Sequence, residues 1–208
     1  MIRHVLFDLD NTLYSASWGL EEFFFQKVWE FVASWLKLPP DEAKKIWEEG
    51  YKRNGTTAGW LKLERGLSTL DDYYAWVHPE SEADCLVPDP GLRSFLRSLP
   101  CPSSVLTNSP RFHADRILQK LEIEDIFFRI FSIEDTGFYG KPEASAYRRA
   151  LDELGLKPED VLFIDDSPRY VEGYLALGGK GLLIDERDAH GDFPHERIKT
   201  LKEIVRFL

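Results

Sequence analysis

Val5-Leu6-Phe7-Asp8-Leu9-Asp10-Asn11-Thr12 is an apolar run that ends in two carboxylates spaced i, i+2. A parallel strand buried on both faces reads as such a run, and open α/β sheets place ligands at the carboxyl ends of their strands. An ionised carboxylate is not buried unpaired. The ending is therefore either an acidic turn after a core strand or a site for metal binding, nucleophilic attack or acid/base work.

Two more apolar runs end in the same way. Ser104-Val105-Leu106 leads into Thr107-Asn108-Ser109, and Val161-Leu162-Phe163-Ile164 leads into Asp165-Asp166-Ser167. Between them Gly140-Lys141-Pro142 opens a helical stretch. Asp-x-Asp, a strand-end Thr, a Lys and a strand-end Asp-Asp form an ordered set spread over most of the chain. Four such elements in order select the functional reading over the acidic turn.

Composition sets the class. With 208 residues the chain accommodates one α/β domain and a small second one. It has 43% hydrophobic and 30% charged residues, the balance of a globular protein. A formal net charge of -10 argues against a nucleic-acid polymer or an anionic membrane surface as partner. An anionic substrate would be repelled unless a cation sat in the site, and a divalent metal would supply it. Cys85 and Cys101 form neither a disulfide framework nor a metal-ligand spacing. No apolar run approaches a membrane span, and the N-terminal residues enter a strand almost at once. The expectation is a reduced, cytoplasmic compartment, with the chain a monomer or homodimer.

Between residues 15 and 85 the pattern changes to helical spacing. Trp18, Phe25, Trp29, Val32 and Leu36 recur at three and four residues, and Pro39-Pro40-Asp41 opens a second helix carrying Ala43, Ile46 and Trp47 on one face. All six tryptophans fall here, as large apolar side chains do in a small helical domain short of buried area. From Pro88 strands and helices alternate, ending in an expected amphipathic helix over 198–208. The pattern predicts an α/β fold, a doubly wound parallel sheet with an inserted all-helical domain. The core is assigned to residues 1–14 and 86–208 and the helical cap to 15–85. An insertion after the first strand would hang over the strands' carboxyl ends and cover a site there.

Carboxylates, a hydroxyl, a cation and a second acidic pair suit phosphoryl transfer, which needs positioning and charge neutralisation above all. One aspartate can act as nucleophile through an aspartyl-phosphate. Another can protonate the leaving oxygen and then activate water. Mg²⁺ takes one or two carboxylates plus a substrate phosphate, and Asp8 with Asp165 or Asp166 would supply them. Thr107 would bind phosphate oxygens, and Lys141 would offset their charge. A lysine at a helix start is mildly unfavourable for the helix dipole, which supports a functional need for it.

Phe7-Asp8-Leu9-Asp10-Asn11-Thr12, Leu106-Thr107-Asn108, Lys141-Pro142 and Ile164-Asp165-Asp166-Ser167 resemble the four motifs of the haloacid dehalogenase-like hydrolase superfamily. The helical insertion resembles the cap of its first subfamily. The resemblance implies a Rossmann-like core and a Mg²⁺-dependent phosphatase acting on a small phosphate ester. It makes Asp8 the nucleophile, Asp10 the general acid/base, Thr107 and Lys141 the phosphate holders, and Asp165 and Asp166 metal ligands with Asp8 and the Asp10 carbonyl. Asp10 favours phosphate esters over halides, because a halide leaving group needs no proton; a phosphomutase would share the motifs. Phe7 to Tyr14 is similar to the opening of pyrimidine 5′-nucleotidase-like members, whereas sugar-phosphate and phosphoglycolate phosphatases share the scaffold. The sequence departs from many relatives at Tyr170, where they carry an Asn behind the metal ligands.

The remaining candidates are less determined. Asn108 either contacts the phosphate or leaving group or caps a helix. Asn54, Thr56, Thr57 and Trp60 either read the substrate from the cap or form an inter-helix turn. His4, His78, His113, His190 and His195 are scattered without ligand spacing and read as structural or surface residues.

Overall fold

The computed structural model describes every residue from Met1 to Leu208. Its elements run β1 (His4–Phe7), α1 (Leu20–Leu36), α2 (Pro40–Asn54), α3 (Thr57–Gly59), α4 (Asp71–Val77), α5 (Pro90–Arg97), β2 (Ser103–Leu106), α6 (Arg111–Lys120), β3 (Ile130–Phe131), α7 (Ala144–Leu154), β4 (Val161–Asp165), α8 (Pro168–Leu175), β5 (Lys180–Ile184) and β6 (Arg197–Ile198). A π-helical turn, Trp60–Glu64, continues α3, and a 3-10 turn, Leu201–Phe207, follows β6.

The six strands form one sheet in the order β3-β2-β1-β4-β5-β6, every pair parallel. All residues of β1, β2 and β4 are buried, as central strands covered on both faces must be. Side chains alternate between the faces. Val5, Phe7, Leu162 and Ile164 pack into a core with α6 residues Ala114, Ile117 and Leu118. Leu6 and Phe163 turn the other way and meet Tyr147, Ala150 and Tyr174 of α7 and α8. This is the Rossmann-like α/β fold that strand–helix alternation predicts.

Helices α1 to α4 have an apolar core of their own, built on Val28, Phe31, Val32, Trp47, Trp60 and Tyr73. Helix α2 is locally well specified. Pro40 occupies its first turn with Asp41 and Glu42, Lys52 and Arg53 its last, and Gly55 ends it at φ 75°. Charges and stop residue both match what a helix terminus favours.

Three local expectations change. The expected helix over 198–208 is instead β6 followed by a 3-10 turn, because Ile198 pairs with Ile184 and so extends the sheet. The turn is started by Thr200, whose backbone N–H donates to Glu203 Oε1 at 3.0 Å. The third strand, expected over Ile126–Phe131 from its apolar run, spans only Ile130–Phe131, with Phe128 exposed. Of the six tryptophans only Trp47 and Trp60 are buried, while Trp18, Trp29 and Trp76 keep more than a third of their surface in solvent. A helix offers only one inward face, and Trp29 lies off it beside Phe25, with Lys44 above its ring.

Candidate active site

Three neighbouring strands, β2, β1 and β4, end side by side. Their ends deliver Thr107, Asp8 and the Asp165-Asp166 pair to one edge of the sheet, which explains why residues more than 150 positions apart in sequence converge. Lys141 approaches from the loop before α7 and is 1% exposed. Its Nζ lies 2.5 Å from Asp8 Oδ1 and 2.7 Å from Asp165 Oδ2. The rings of Phe163 and Tyr170 stand 5.4 and 5.2 Å from the same ammonium. Burial pulls Lys141 toward neutrality, but the charges of Asp165 and Asp8 outweigh it and hold the ammonium protonated.

Asp8 is pushed up by burial and by the charges of Asp165 and Asp10, with Lys141 offsetting part of the effect. Asp166 is likewise pushed up by burial and by Asp165 and Asp8. Asp8, Asp165 and Asp166 can bring one oxygen each within 4.8 Å of one another. Three carboxylates around one ammonium are more than its charge can balance, which is why burial and mutual repulsion push Asp8 and Asp166 up. An all-oxygen set of this kind fits Mg²⁺. Asp165 is the more committed of the pair: Oδ1 accepts from the Ser167 N–H at 2.8 Å and Oδ2 from Lys141. Asp166 Oδ2 has a 3.3 Å contact with Asn11 Nδ2.

Asp10 points into different company. Its Oδ1 accepts from the Tyr14 hydroxyl at 2.7 Å and lies 2.9 Å from His113 Nε2; its Oδ2 accepts from the Ser109 hydroxyl at 2.7 Å. Burial opposes its charge, but His113, Tyr14 and Ser109 together hold the carboxyl well below the usual range. In this arrangement the Asp10 carboxyl is ionised. His113 answers in kind: burial works against its charge, while Asp10 and Glu82 raise it to about 9.

Thr107 is buried, and its Oγ accepts from the Ser109 N–H at 3.0 Å, which shapes the turn after β2. Asn108 does not cap a helix; α6 starts after Pro110. Its Oδ1 accepts from the Lys141 N–H at 2.7 Å and its Nδ2 donates to the Lys141 carbonyl at 3.0 Å, so it clamps the lysine's backbone. Gly140 makes this possible: a Cβ there would lie 2.7 Å from Asn108 Oδ1 and 2.5 Å from Thr56 Cγ2.

A cavity of about 260 Å³ opens between these groups and the helices. Asp8, Asp10, Thr107, Asn108, Lys141 and Asp166 form its polar floor, and Thr56 and Thr57 lie in its wall. Phe24, Phe25, Tyr51, Tyr73 and Tyr74 make the opposite side aromatic. Both threonine hydroxyls have local partners, Thr56 accepting from the Gly59 N–H and Thr57 from Trp47 Nε1.

Two candidates are not brought to the cavity. Trp60 is 0% exposed and packs inside the helical core against Trp35, because its place on the π-helical turn aims the ring inward. Asn54 donates to the Gly50 carbonyl and to Glu64, closing the end of α2. Sequence reasoning also passed over Tyr14, Ser109 and His113, the three donors to Asp10. Only His113 carried a signal, since it falls on the inward face of α6 with Ala114, Ile117 and Leu118.

A family model described as haloacid dehalogenase-like hydrolase matches residues 2–178. The chain belongs to that family of hydrolases. It is 25% identical to the phosphorylated carbohydrates phosphatase of Thermotoga maritima over 97% of this chain and 99% of the relative. It is 28% identical to phosphate metabolism protein 8 of Saccharomyces cerevisiae over 83% of this chain, which spans 58% of the yeast protein. The HAD-hydrolase YfnB of Bacillus subtilis, solved bound to magnesium, shares the fold at TM-score 0.66 and 17% identity, covering 100% of this chain and 98% of that one.

Proposed function

We propose that this hydrolase is a Mg²⁺-dependent phosphomonoesterase working through an aspartyl-phosphate on Asp8. The observation that carries the reading is the buried Lys141 ammonium shared between Asp8 and Asp165, with Thr107, Asp10 and Asp166 around the same cavity. Asp8, Asp166 and Asp165 would hold the metal together with the Asp10 carbonyl, Asp166 having the freest oxygens. When bound, Mg²⁺ supplies positive charge against the phosphate and the crowded carboxylates.

The chain's own residues do the rest. A carboxylate oxygen of Asp8 attacks phosphorus, and the bond to the ester oxygen breaks. Asp10, ionised in the free site, takes up the proton that a monoanionic phosphate ester brings and hands it to that oxygen; it then takes one from the water that attacks the aspartyl-phosphate, releasing phosphate and restoring Asp8. Thr107 and Lys141 hold the phosphate oxygens, and Asn108 fixes Lys141. The helical segment 15–85, with α1 to α4, acts as a cap that keeps bulk water from the intermediate.

The cavity suits a single small ester rather than a polymer. Its aromatic side supports a flat leaving group, a nucleoside 5′-monophosphate with a pyrimidine base as the favoured case. A sugar phosphate or phosphoglycolate is the second reading, supported by the carbohydrate phosphatase relative. Phosphate release from nucleoside monophosphates, sugar phosphates and phosphoglycolate, with and without Mg²⁺ and with Asp8→Asn as control, tests the proposal. Turnover that persists in Asp8→Asn refutes the covalent route; selective turnover of a sugar phosphate keeps the route and replaces the substrate.

A further inference from the structure

Outside the phosphate site a second cluster of ionisable groups runs from Asp10 into the interior. His113, in the first turn of α6, is 0% exposed. Its Nε2 lies 2.9 Å from Asp10 Oδ1 and its Nδ1 2.9 Å from Glu82 Oε2. The Glu82 side chain is itself 0% exposed. It also bonds His78 Nδ1 at 2.8 Å and the Arg116 guanidinium. Glu82 belongs to the stretch that returns from the helical segment to the sheet, between α4 and α5.

We propose that His113 is a positioning residue for Asp10, and that Glu82 fixes His113, so that the aim of Asp10 depends on a buried Asp10–His113–Glu82 chain. The inference rests on the reading of Asp10 as the acid/base.

Three features separate this chain from ordinary core filling. An apolar side chain would pack the same space without desolvating three polar groups. Both imidazole nitrogens are committed to carboxylates, so the ring has one orientation; turning it breaks two hydrogen bonds where no water replaces them. Phe24 and His78 wall the ring, with centroids 5.2 and 4.7 Å away. A metal ion is the competing explanation, because His78, Glu82 and His113 come within 4.8 Å. The Arg116 cation already sits on Glu82, and His113 has no free nitrogen, so the cluster is closed to a second cation.

The aim of Asp10 matters because proton transfer to a leaving oxygen needs hydrogen-bond geometry. Ser109 and His113, four residues apart at the start of α6, bracket the carboxylate from both oxygens. A loose Asp10 would still leave Asp8 able to attack. The deficit would therefore appear as a dependence on the leaving group, which a general packing defect does not produce.

The test compares kcat/KM for p-nitrophenyl phosphate, phenyl phosphate and a simple alkyl phosphate monoester in the Mg²⁺-loaded protein. The variants are Asp10→Asn, His113→Gln, Glu82→Gln and the Asp10→Asn/His113→Gln double. Each ratio is taken within one preparation, so any unfolded fraction cancels. His113→Gln is expected to lose about 100-fold on the alkyl ester and under about 5-fold on p-nitrophenyl phosphate, Glu82→Gln about 10-fold on the alkyl ester, and the double variant no more than Asp10→Asn alone. An equal loss across the esters in His113→Gln, with Asp10→Asn selective, makes His113 a packing residue and overturns the inference while the acid/base reading stands. No selectivity in Asp10→Asn overturns both.

Discussion

Lys141 Nζ stands 2.5 Å from Asp8 Oδ1, at a depth where the lysine is 1% exposed. One ammonium thereby joins the ends of β1 and β4, since Asp165 takes its other side at 2.7 Å. Removing it leaves two buried carboxylates facing each other. Breaking a buried ion pair from one side costs about 3–5 kcal/mol. Lys141→Met is expected to lower stability by that order and to reduce kcat/KM by about 1,000-fold or more, on the scale of losing a preorganised charge. Lys141→Arg is not expected to rescue, because a planar fork does not fit a point-charge site closed by Phe163 and Tyr170. Denaturant melts and steady-state kinetics of both variants measure this.

Metal dependence follows from the same charge count. Binding the folded state alone stabilises by about 2.7 kcal/mol at a hundred times Kd. Mg²⁺ is expected to raise the melting temperature, and a chelator to abolish turnover. Asp166→Asn is expected to lose most of the Mg²⁺ shift while keeping metal-free stability, since Lys141–Asp165 is untouched. Thermal melts with and without Mg²⁺ on both proteins decide it; a full Mg²⁺ shift in the variant removes Asp166 from the ligand set.

The parts of the molecule readable in advance share one property: they are local. β1, β2 and β4 read as strands because burial on both faces demands continuous apolar runs, and the acids at their ends stand out against those runs. The Asp10–His113–Glu82 chain is not local. Its residues lie 103 and 31 positions apart in sequence, and nothing in the spacing announces them. Trp60 shows the converse failure. A large ring advertises buried area, but around a helix one position turns a side chain by about 100°, so the same ring faces core or cavity with no change in local pattern. Ile198 read as a helical apolar position because the pairing edge that β5 offers it is invisible from the sequence.

Tyr51 and Tyr170 place their hydroxyls 3.0 Å apart at the cavity wall, joining α2 to α8. Tyr170 also lies 5.2 Å from the Lys141 ammonium. Tyr170→Phe keeps the ring beside the cation and removes only the hydroxyl, a loss of about 1 kcal/mol. It is expected to raise KM several-fold and leave kcat within about 3-fold, whereas Tyr170→Ala, which also strips the face of Lys141, is expected to lower kcat. Parallel kinetics of the two variants separate the hydroxyl from the ring; an unchanged KM in Tyr170→Phe would mean the hydroxyl pair does not hold the cap to the core.

His4 gives the protein an acid-sensitive limb remote from the chemistry. It is buried in β1, with Nε2 2.9 Å from the Ser104 hydroxyl on β2. Burial disfavours the imidazolium and pulls its pKa down to about 4. The unfolded chain protonates this group near its ordinary value of about 6.5. Between those two values the unfolded state binds a proton that the folded state does not, so the stability contributed by His4 falls as pH drops from about 6.5 toward 4. His78, also pulled down by burial, adds to the same limb. Glu82, held down to about 2, is expected to lose its stabilising ionisation only below about 4.5, whereas Asp8 and Asp166, pushed up by burial, bind protons in the fold and oppose the histidine limb across the same window. Relative to the parent, His4→Gln is expected to lose less melting temperature, or gain more, on going from pH 7 to pH 5. Thermal melts of the two proteins across that range measure the difference. Parallel curves would show that the buried imidazole reaches its proton without unfolding the sheet.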